Sequence, residues 1–230
     1  GVMPASGMLD GNLKFSSSSS GRFNSSLHIS ELEVLEKPFG DLTLDLAHAG
    51  DRYTIDLSIK NQGSNLVANG YYVSNPTTSE FNVTADLSPL NLQLIEPLSF
   101  GQLQDVKGIA TGTLKISGTL EKPSIRGSIN FREASFKSTY LNSTFTLNNE
   151  TIAFNEQGIR LNNFTISDTK KNNAIIDGTI LTEAYKEFRF NLDVTTRNFQ
   201  VLNTTPEDNK LYYGKVKLDA KARIAGNAKR

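Results

Sequence analysis

The sequence of 230 residues has no cysteine, no tryptophan and only two histidines, and no run of consecutive apolar residues in it exceeds three. Without cysteine there is no disulfide frame, no thiolate metal site and no cysteine nucleophile, a composition that suits a cytosol and a bacterial periplasm equally. A helix that spans a bilayer needs about 20 apolar residues in succession, and none is encoded. An excess of one charge is missing too. The 24 basic residues balance the 24 acidic ones, so the basic stripe that nucleic acid requires for counterion release is absent and no nucleic-acid partner is expected. A hydrophobic fraction of 37% and a mean hydropathy of −0.33 are thin for a closed, double-layered core. Nothing at Gly1 resembles a signal peptide.

Catalytic constellations are scarce as well. His28 alternates with Leu27 and Ile29 and so belongs to a polar face, while His48 ends the row Leu42, Leu44, Leu46. Neither has a second ligand at metal-binding spacing. Glu31, Glu33 and Glu36 read as solvated charge rather than as a glycosidase pair, since no aromatic platform accompanies them. No phosphate-binding glycine loop and no Gly-x-Ser-x-Gly elbow occurs. Asn-x-Ser/Thr triplets at Asn24, Asn82, Asn142, Asn149, Asn163 and Asn203 follow from a composition rich in those residues. No enzyme, metal or cofactor is expected.

What is present is a two-residue alternation along almost the whole chain. Leu114, Ile116 and Leu120 alternate with polar residues; so do Phe188, Phe190, Leu192 and Val194, the row Leu42 to Leu46, and Tyr53, Ile55, Leu57 and Ile59. Alternate residues of a strand face opposite sides, so each segment has one wet face and one that must be covered. Strands are expected at Leu9 to Phe15, Phe23 to Ile29, Leu42 to Leu46, Tyr53 to Ile59, Leu66 to Val73, Phe81 to Leu87, Leu114 to Leu120, Ile125 to Phe131, Leu141 to Leu147, Ile152 to Phe154, Ile159 to Ile166, Ile176 to Ile180, Phe188 to Val194 and Leu211 to Ile224. Turn residues separate them at the spacing of an all-β array. The serine run Ser16 to Ser20 reads as a flexible turn. One helix is expected, with Ser88 as N-cap, Pro89 at its first position and Pro97 as its stop. It divides the chain into an N-terminal β segment (1–87), a helix with its connector (88–107) and a second β segment (108–230). The pattern is already running at Leu9 and still running at Ile224, as in an internal stretch of a longer protein.

One helix cannot cover so many strands. The apolar faces therefore pack as a sandwich, close as a barrel, or line a trough filled by something other than protein. The apolar residues are evenly Leu, Ile, Val and Phe along the chain, as in a lining, although a sandwich accommodates the same uniformity. Glycines and a proline punctuate the run Gly108-Ile-Ala-Thr-Gly112-Thr-Leu-Lys-Ile-Ser-Gly118-Thr-Leu-Glu-Lys-Pro123-Ser-Ile-Arg-Gly127-Ser-Ile-Asn-Phe131 at the ends of short strands, where they leave ladder hydrogen bonds intact.

This run resembles the recurring glycine-rich signature of the TamB family, the translocation and assembly module proteins of Gram-negative envelopes, related to AsmA-like proteins. A second stretch is similar to the C-terminal domain of that family: Tyr185-Lys-Glu-Phe-Arg-Phe-Asn-Leu-Asp-Val, then Asn198-Phe199-Gln-Val-Leu202-Asn203-Thr204, Asp208 to Gly214 and Ile224-Ala-Gly226. The resemblance covers about residues 86–230, while residues 1–85 match only in strand character. The membrane anchor of the family and its extreme C-terminus are missing from this chain.

The resemblance implies an elongated, curled all-β sheet, a U-shaped trough with an apolar interior and one short helix. It implies a non-enzymatic segment in the periplasm of a Gram-negative bacterium, its parent protein anchored in the inner membrane. The groove would conduct phospholipid acyl chains between the membranes or hold unfolded outer-membrane strands, with an outer-membrane barrel of the TamA type as partner. The expected lining is Leu114, Ile116, Ile125, Ile129, Phe131, Phe145, Leu147, Ile176, Ile180, Phe190, Leu192 and Val194. The rival is an extracellular β-sandwich that binds carbohydrate or mediates adhesion, which would need exposed aromatics for stacking on sugars; with no tryptophan, Tyr71 and Tyr72 are the only adjacent pair to offer before the C-terminal Tyr212 and Tyr213. Open strand edges near Leu9 to Phe15 and Val216 to Ile224 predict self-association end to end.

Overall fold

Alternation becomes strand nearly everywhere. The computed structural model describes residues 4–16, 22–74 and 79–229, whose strands form one antiparallel sheet of fourteen. They are β1 (Ala5–Ser16), β2 (Arg22–Val34), β3 (Lys37–Ala49), β4 (Arg52–Asn61), β5 (Ser64–Ser74), β6 (Ser79–Asn91), β7 (Leu103–Gly118), β8 (Pro123–Ser138), β9 (Ser143–Leu147), β10 (Glu150–Asn155), β11 (Gly158–Ser167), β12 (Asn173–Glu183), β13 (Glu187–Thr204) and β14 (Gly214–Lys229). Short connections place successive strands side by side, in chain order from β1 to β8 and from β10 to β14. β9 also pairs with β8 and β11, so β9 and β10 together fill one strand position, broken at Asn149 in the left-handed region. Ser16 closes β1; Ser17–Ser20 of the expected serine turn lie outside the described residues.

The helical segment is shorter and tighter than its sequence pattern suggests. Ser88 and Pro89 finish β6, and Asn91 is the cap, its side chain accepting the Gln93 N–H at 3.0 Å. Two 3₁₀ turns follow, Leu92–Ile95 and Pro97–Ser99. Only five residues separate Asn91 from Pro97, too few to repay the nucleation of an α-helix, so the tighter turn prevails. Three strand limits also move. β7 ends at Gly118 and leaves Leu120 in the turn, β9 begins at Ser143 and leaves Leu141 in the turn before it, and β14 begins at Gly214 and leaves Leu211 exposed on the preceding connection.

The chain forms two compact units, Gly1–Leu90 with Thr111–Gly127, and Asn91–Ala110 with Ser128–Arg230. In the first, the register aligns apolar side chains into rows that run across the strands. Ile29, Leu42, Ile59, Leu66 and Leu87 form one row; Leu27, Leu44, Leu57, Ala68 and Ala85 the next; Leu46, Ile55, Gly70 and Val83 a third. A fourth row is aromatic: Phe23, His48, Tyr53, Tyr72 and Phe81. Paired residues share a face, so one side of β2 to β6 is apolar apart from Ser25, which pairs with Leu46, and His48 in the aromatic row. Thr43, Asp45, Asp56 and Asn69 occupy the other.

The second unit builds its apolar face in the same way and then bends it. Ile159, Ile180 and Phe190 align across β11, β12 and β13, as do Phe164, Ile176 and Val194. Between these rows β11 carries a bulge from Leu161 to Phe164, with Asn163 at φ 47° and its N–H donated to the Asp177 carboxylate at 2.7 Å. The same device recurs along the chain. Glu31 donates its N–H to Asp41, and Asn198 donates to Asp219, each from a left-handed residue at a register shift. A bulge bends its strand and sharpens the local twist; here a carboxylate on the next strand satisfies the amide that the bulge frees.

At the end of the second unit where β8 passes to β9, the bent face closes. The Phe145 ring of β9 stacks on Phe199 of β13 at 5.7 Å, although β11 and β12 lie between these strands in the sheet. The Asn203 N–H also donates to the Leu141 carbonyl at 2.9 Å. Ala174 is buried with the two phenylalanines, and Phe136, Leu141, Ile166 and Val201 pack around them.

Candidate functional site

The apolar cross-strand rows are the candidate site. His28 lies on the polar side, its Nδ1 3.2 Å from the Thr43 hydroxyl. His48 has an unexpected setting: the register carries it past the end of the leucine row into the aromatic one, where it stacks on Tyr53 at 4.3 Å. Glu31, Glu33 and Glu36 are all exposed. Among the described residues, no group of three or more His, Asp or Glu could hold a metal ion.

In the first unit the apolar face deepens into a pocket of about 540 Å³, lined by Leu46, Tyr53, Ile55, Tyr72, Phe81, Val83 and Leu120. Its size lies within the range of small-molecule sites. The wall is hydrocarbon and aromatic, and its nearest polar features are phenolic tips, Tyr72 being bonded to the Ser79 hydroxyl at 2.7 Å. That bond, followed by one from Ser74, lowers the pKa of Tyr72 against the upward push of desolvation. Tyr71 and Tyr72 are half-buried and face opposite sides. The Arg52 guanidinium covers the Tyr71 ring at 3.7 Å, so the adjacent pair offers no common platform for a sugar.

The twelve expected lining residues divide between the units. Leu114 and Ile116 on β7 and Ile125 on β8 belong to the first; Ile129, Phe131, Phe145, Leu147, Ile176, Ile180, Phe190, Leu192 and Val194 belong to the second. Pairing brings Ile176 against Val194 and Ile180 against Phe190, and places Leu192 opposite Gly178, all on one face. Phe145 and Leu147 pair with Phe136 and Ala134. Phe145, Leu147 and Leu192 are buried and the other nine are half-buried. The same face also holds Ile159, Leu161 and Phe164, and the closed end holds Phe199, none of which was in the expected set. Nor were the rows of β2 to β6. Their alternation was as regular, but the expected lining followed the family resemblance, which stops short of them.

One polar node stands at the closed end of the second unit. Asp168 is buried and accepts four hydrogen bonds of 2.8–2.9 Å, from the backbone N–H groups of Lys170, Asn172 and Gln200 and from the Asn172 amide. Burial alone would raise its pKa; the donors, led by the Asn172 side chain, outweigh burial and hold it below the ordinary aspartate value. A lowered folded pKa stabilises the fold above the unfolded value near pH 4, and the contribution fades as pH falls toward the folded value. Asp168→Asn should therefore cost about 1–3 kcal/mol at neutral pH, because its amide opposes a donor. The gap between variant and parent should narrow below about pH 4, which urea unfolding at several pH values would measure. A constant gap would contradict the charge as its source. The small polar pocket beside it, about 80 Å³ and lined by Asn142, Ser143, Thr144, Asp168, Thr169, Gln200 and Asn203, has its one carboxylate already saturated.

Compared with known proteins, residues 162–230 match the model of the TamB C-terminal domain. These residues run from the β11 bulge through β14, and the glycine-rich run Gly108 to Phe131 lies outside them. No curated protein and no solved structure matches the chain.

Proposed function

The chain carries a TamB C-terminal domain at residues 162–230 and is thereby a member of the TamB family; on that premise we propose that it is a non-enzymatic stretch whose apolar faces receive phospholipid acyl chains in transit through the periplasm. Proteins of this family act in envelope lipid transport or outer-membrane protein assembly. The observation that carries the acyl-chain reading is the pair of apolar faces, each ordered in cross-strand rows, with the pocket of about 540 Å³ on the first. A row of Leu, Ile and Val offers an acyl chain contact without directional demands. Each methylene kept out of water is worth about 0.8 kcal/mol, so a continuous surface lets a chain slide where a gap would stop it. An outer-membrane barrel of the TamA type is the partner the family suggests. A saccharide reading has less to rest on, since Tyr71 and Tyr72 face opposite sides.

Native mass spectrometry of the gently extracted protein tests the reading: bound phospholipid is expected, and its absence, together with no uptake of a fluorescent fatty acid, would refute it. Ile129→Arg and Phe190→Arg sharpen the test. Both residues are half-buried, so an arginine head can still reach water by extending along the surface. Lipid loading should fall by more than tenfold while the melting temperature drops by only a few degrees. Collapse of the fold would mean that the face is a sealed core, where an unpaired charge costs several kcal/mol.

A further inference from the structure

At the closed end of the second unit, three connections carry large apolar side chains into solvent. The 3₁₀ segment presents Leu98 and Phe100, the β8–β9 connection presents Tyr140, and the β13–β14 connection presents Leu211, Tyr212 and Tyr213, with Leu211 91% exposed and Phe100 74%. They are tied together. The Thr139 hydroxyl donates to the Gly101 carbonyl at 2.9 Å, the Tyr212 hydroxyl donates to the Tyr140 carbonyl at 3.3 Å, and the Asn142 amide donates to Asp208 at 2.7 Å. Phe100 stands in the left-handed region at φ 53°, a conformation costly for a bulky residue, and its exposed ring gains little packing within the unit in return.

The charges at this end point to the occupant. The stretches 92–102, 167–173 and 204–217 hold Lys170, Lys171, Lys210, Lys215 and Lys217 against Glu96, Glu207, Asp208 and the buried Asp168, in a chain whose total charge is zero. Lysine is depleted at protein–protein interfaces, whereas tyrosine, phenylalanine and leucine among lysines are what an anionic bilayer surface attracts. The side chains also stand on connections at a strand end, as insertion into a headgroup layer requires, and not along a groove that a peptide could fill. We propose that this end of the second unit docks on an anionic membrane surface, with Phe100, Leu211 and Tyr213 inserted among the headgroups and the lysines on lipid phosphates. Docking is independent of acyl-chain transit: it uses the connections and leaves the apolar faces free.

Flotation with vesicles tests it. The chain should bind vesicles of phosphatidylethanolamine with phosphatidylglycerol, lose binding as salt is raised, and bind phosphatidylcholine vesicles far less. Leu211→Ser should weaken partitioning by about tenfold, the worth of one inserted leucine, and Lys170→Gln by about fivefold. Because the chain has no tryptophan, Tyr213→Trp creates a single reporter whose emission should shift to the blue on anionic vesicles. Phe100→Ser probes a second, separate segment. No binding to anionic vesicles, or binding that none of these changes weakens, or a tryptophan that stays in water, would overturn the proposal. Vesicle binding that survives Phe190→Arg is expected, and this separates docking from the acyl-chain reading.

Discussion

Replacing Phe145 by alanine is expected to destabilise the protein by about 3–4 kcal/mol, the range for removing a buried phenylalanine and leaving its cavity. Phe145 is 6% exposed, its ring stacks on Phe199 and meets Phe136 at 5.8 Å, and together they join β9 to β13. The cavity could not be filled easily, because the Asn203 to Leu141 hydrogen bond holds the two sides in place. Phe190→Ala, on the half-buried part of the same unit, should cost less than half as much, since its ring already meets solvent. Chemical denaturation of the two variants side by side gives the comparison. Equal losses would mean that the closed end carries no more of the stability than the open part.

A comparable loss, above about 3 kcal/mol, is expected of Gly178→Ala. Gly178 has φ 135°, and a Cβ built there would lie 2.1 Å from the Asn191 carbonyl oxygen and 3.0 Å from the Leu192 Cα. Both are backbone atoms of β13, so no rotamer change can relieve the clash. The glycine lets β13 come close beside the β11 bulge, and the two features together make the corner of the second unit. The change should lower the melting temperature by about 10 °C or more or abolish soluble expression. An alanine variant as stable as the parent would show that the corner can open at little cost.

The strands were legible in the sequence because alternation is a local signal. Leu42, Leu44 and Leu46 identify their face without knowledge of any neighbour, and the register then sets them against Ile59, Leu57 and Ile55. The bends were not legible. Asn142, Asn149 and Asn163 belong to Asn-x-Ser/Thr triplets that composition explained, yet all three take left-handed φ, a region that asparagine tolerates better than most residues. The carboxylates that satisfy bulge amides, Asp41, Asp177 and Asp219, lie on the next strand, at sequence distances that vary with hairpin length. No fixed spacing announces them. The 3₁₀ segment failed for a related reason: Leu90 and Leu94 are four apart as in an α-helix, while the buried pair is Leu92 and Leu94. For the candidate site, the paired rows of β12 and β13 followed from alternation, but the closure through Phe199 depends on curvature, which a period of two does not encode.

The strand order carries a consequence for how such a chain can change length. Nearly every strand bonds only to its immediate neighbours in sequence, so contacts are local and pairing can begin at several hairpins and spread, as in repeat proteins. Duplication of a hairpin would add two strands, lengthen each apolar row by two residues, and leave every other pairing in register. Because two antiparallel strands return the chain to the end from which it left, the connections would also keep their ends. Phe100, Tyr140 and Leu211 would thus still project from the same side, while an odd strand would carry part of them to the other. A lineage of such proteins is free to lengthen in steps of two strands and is held back from steps of one.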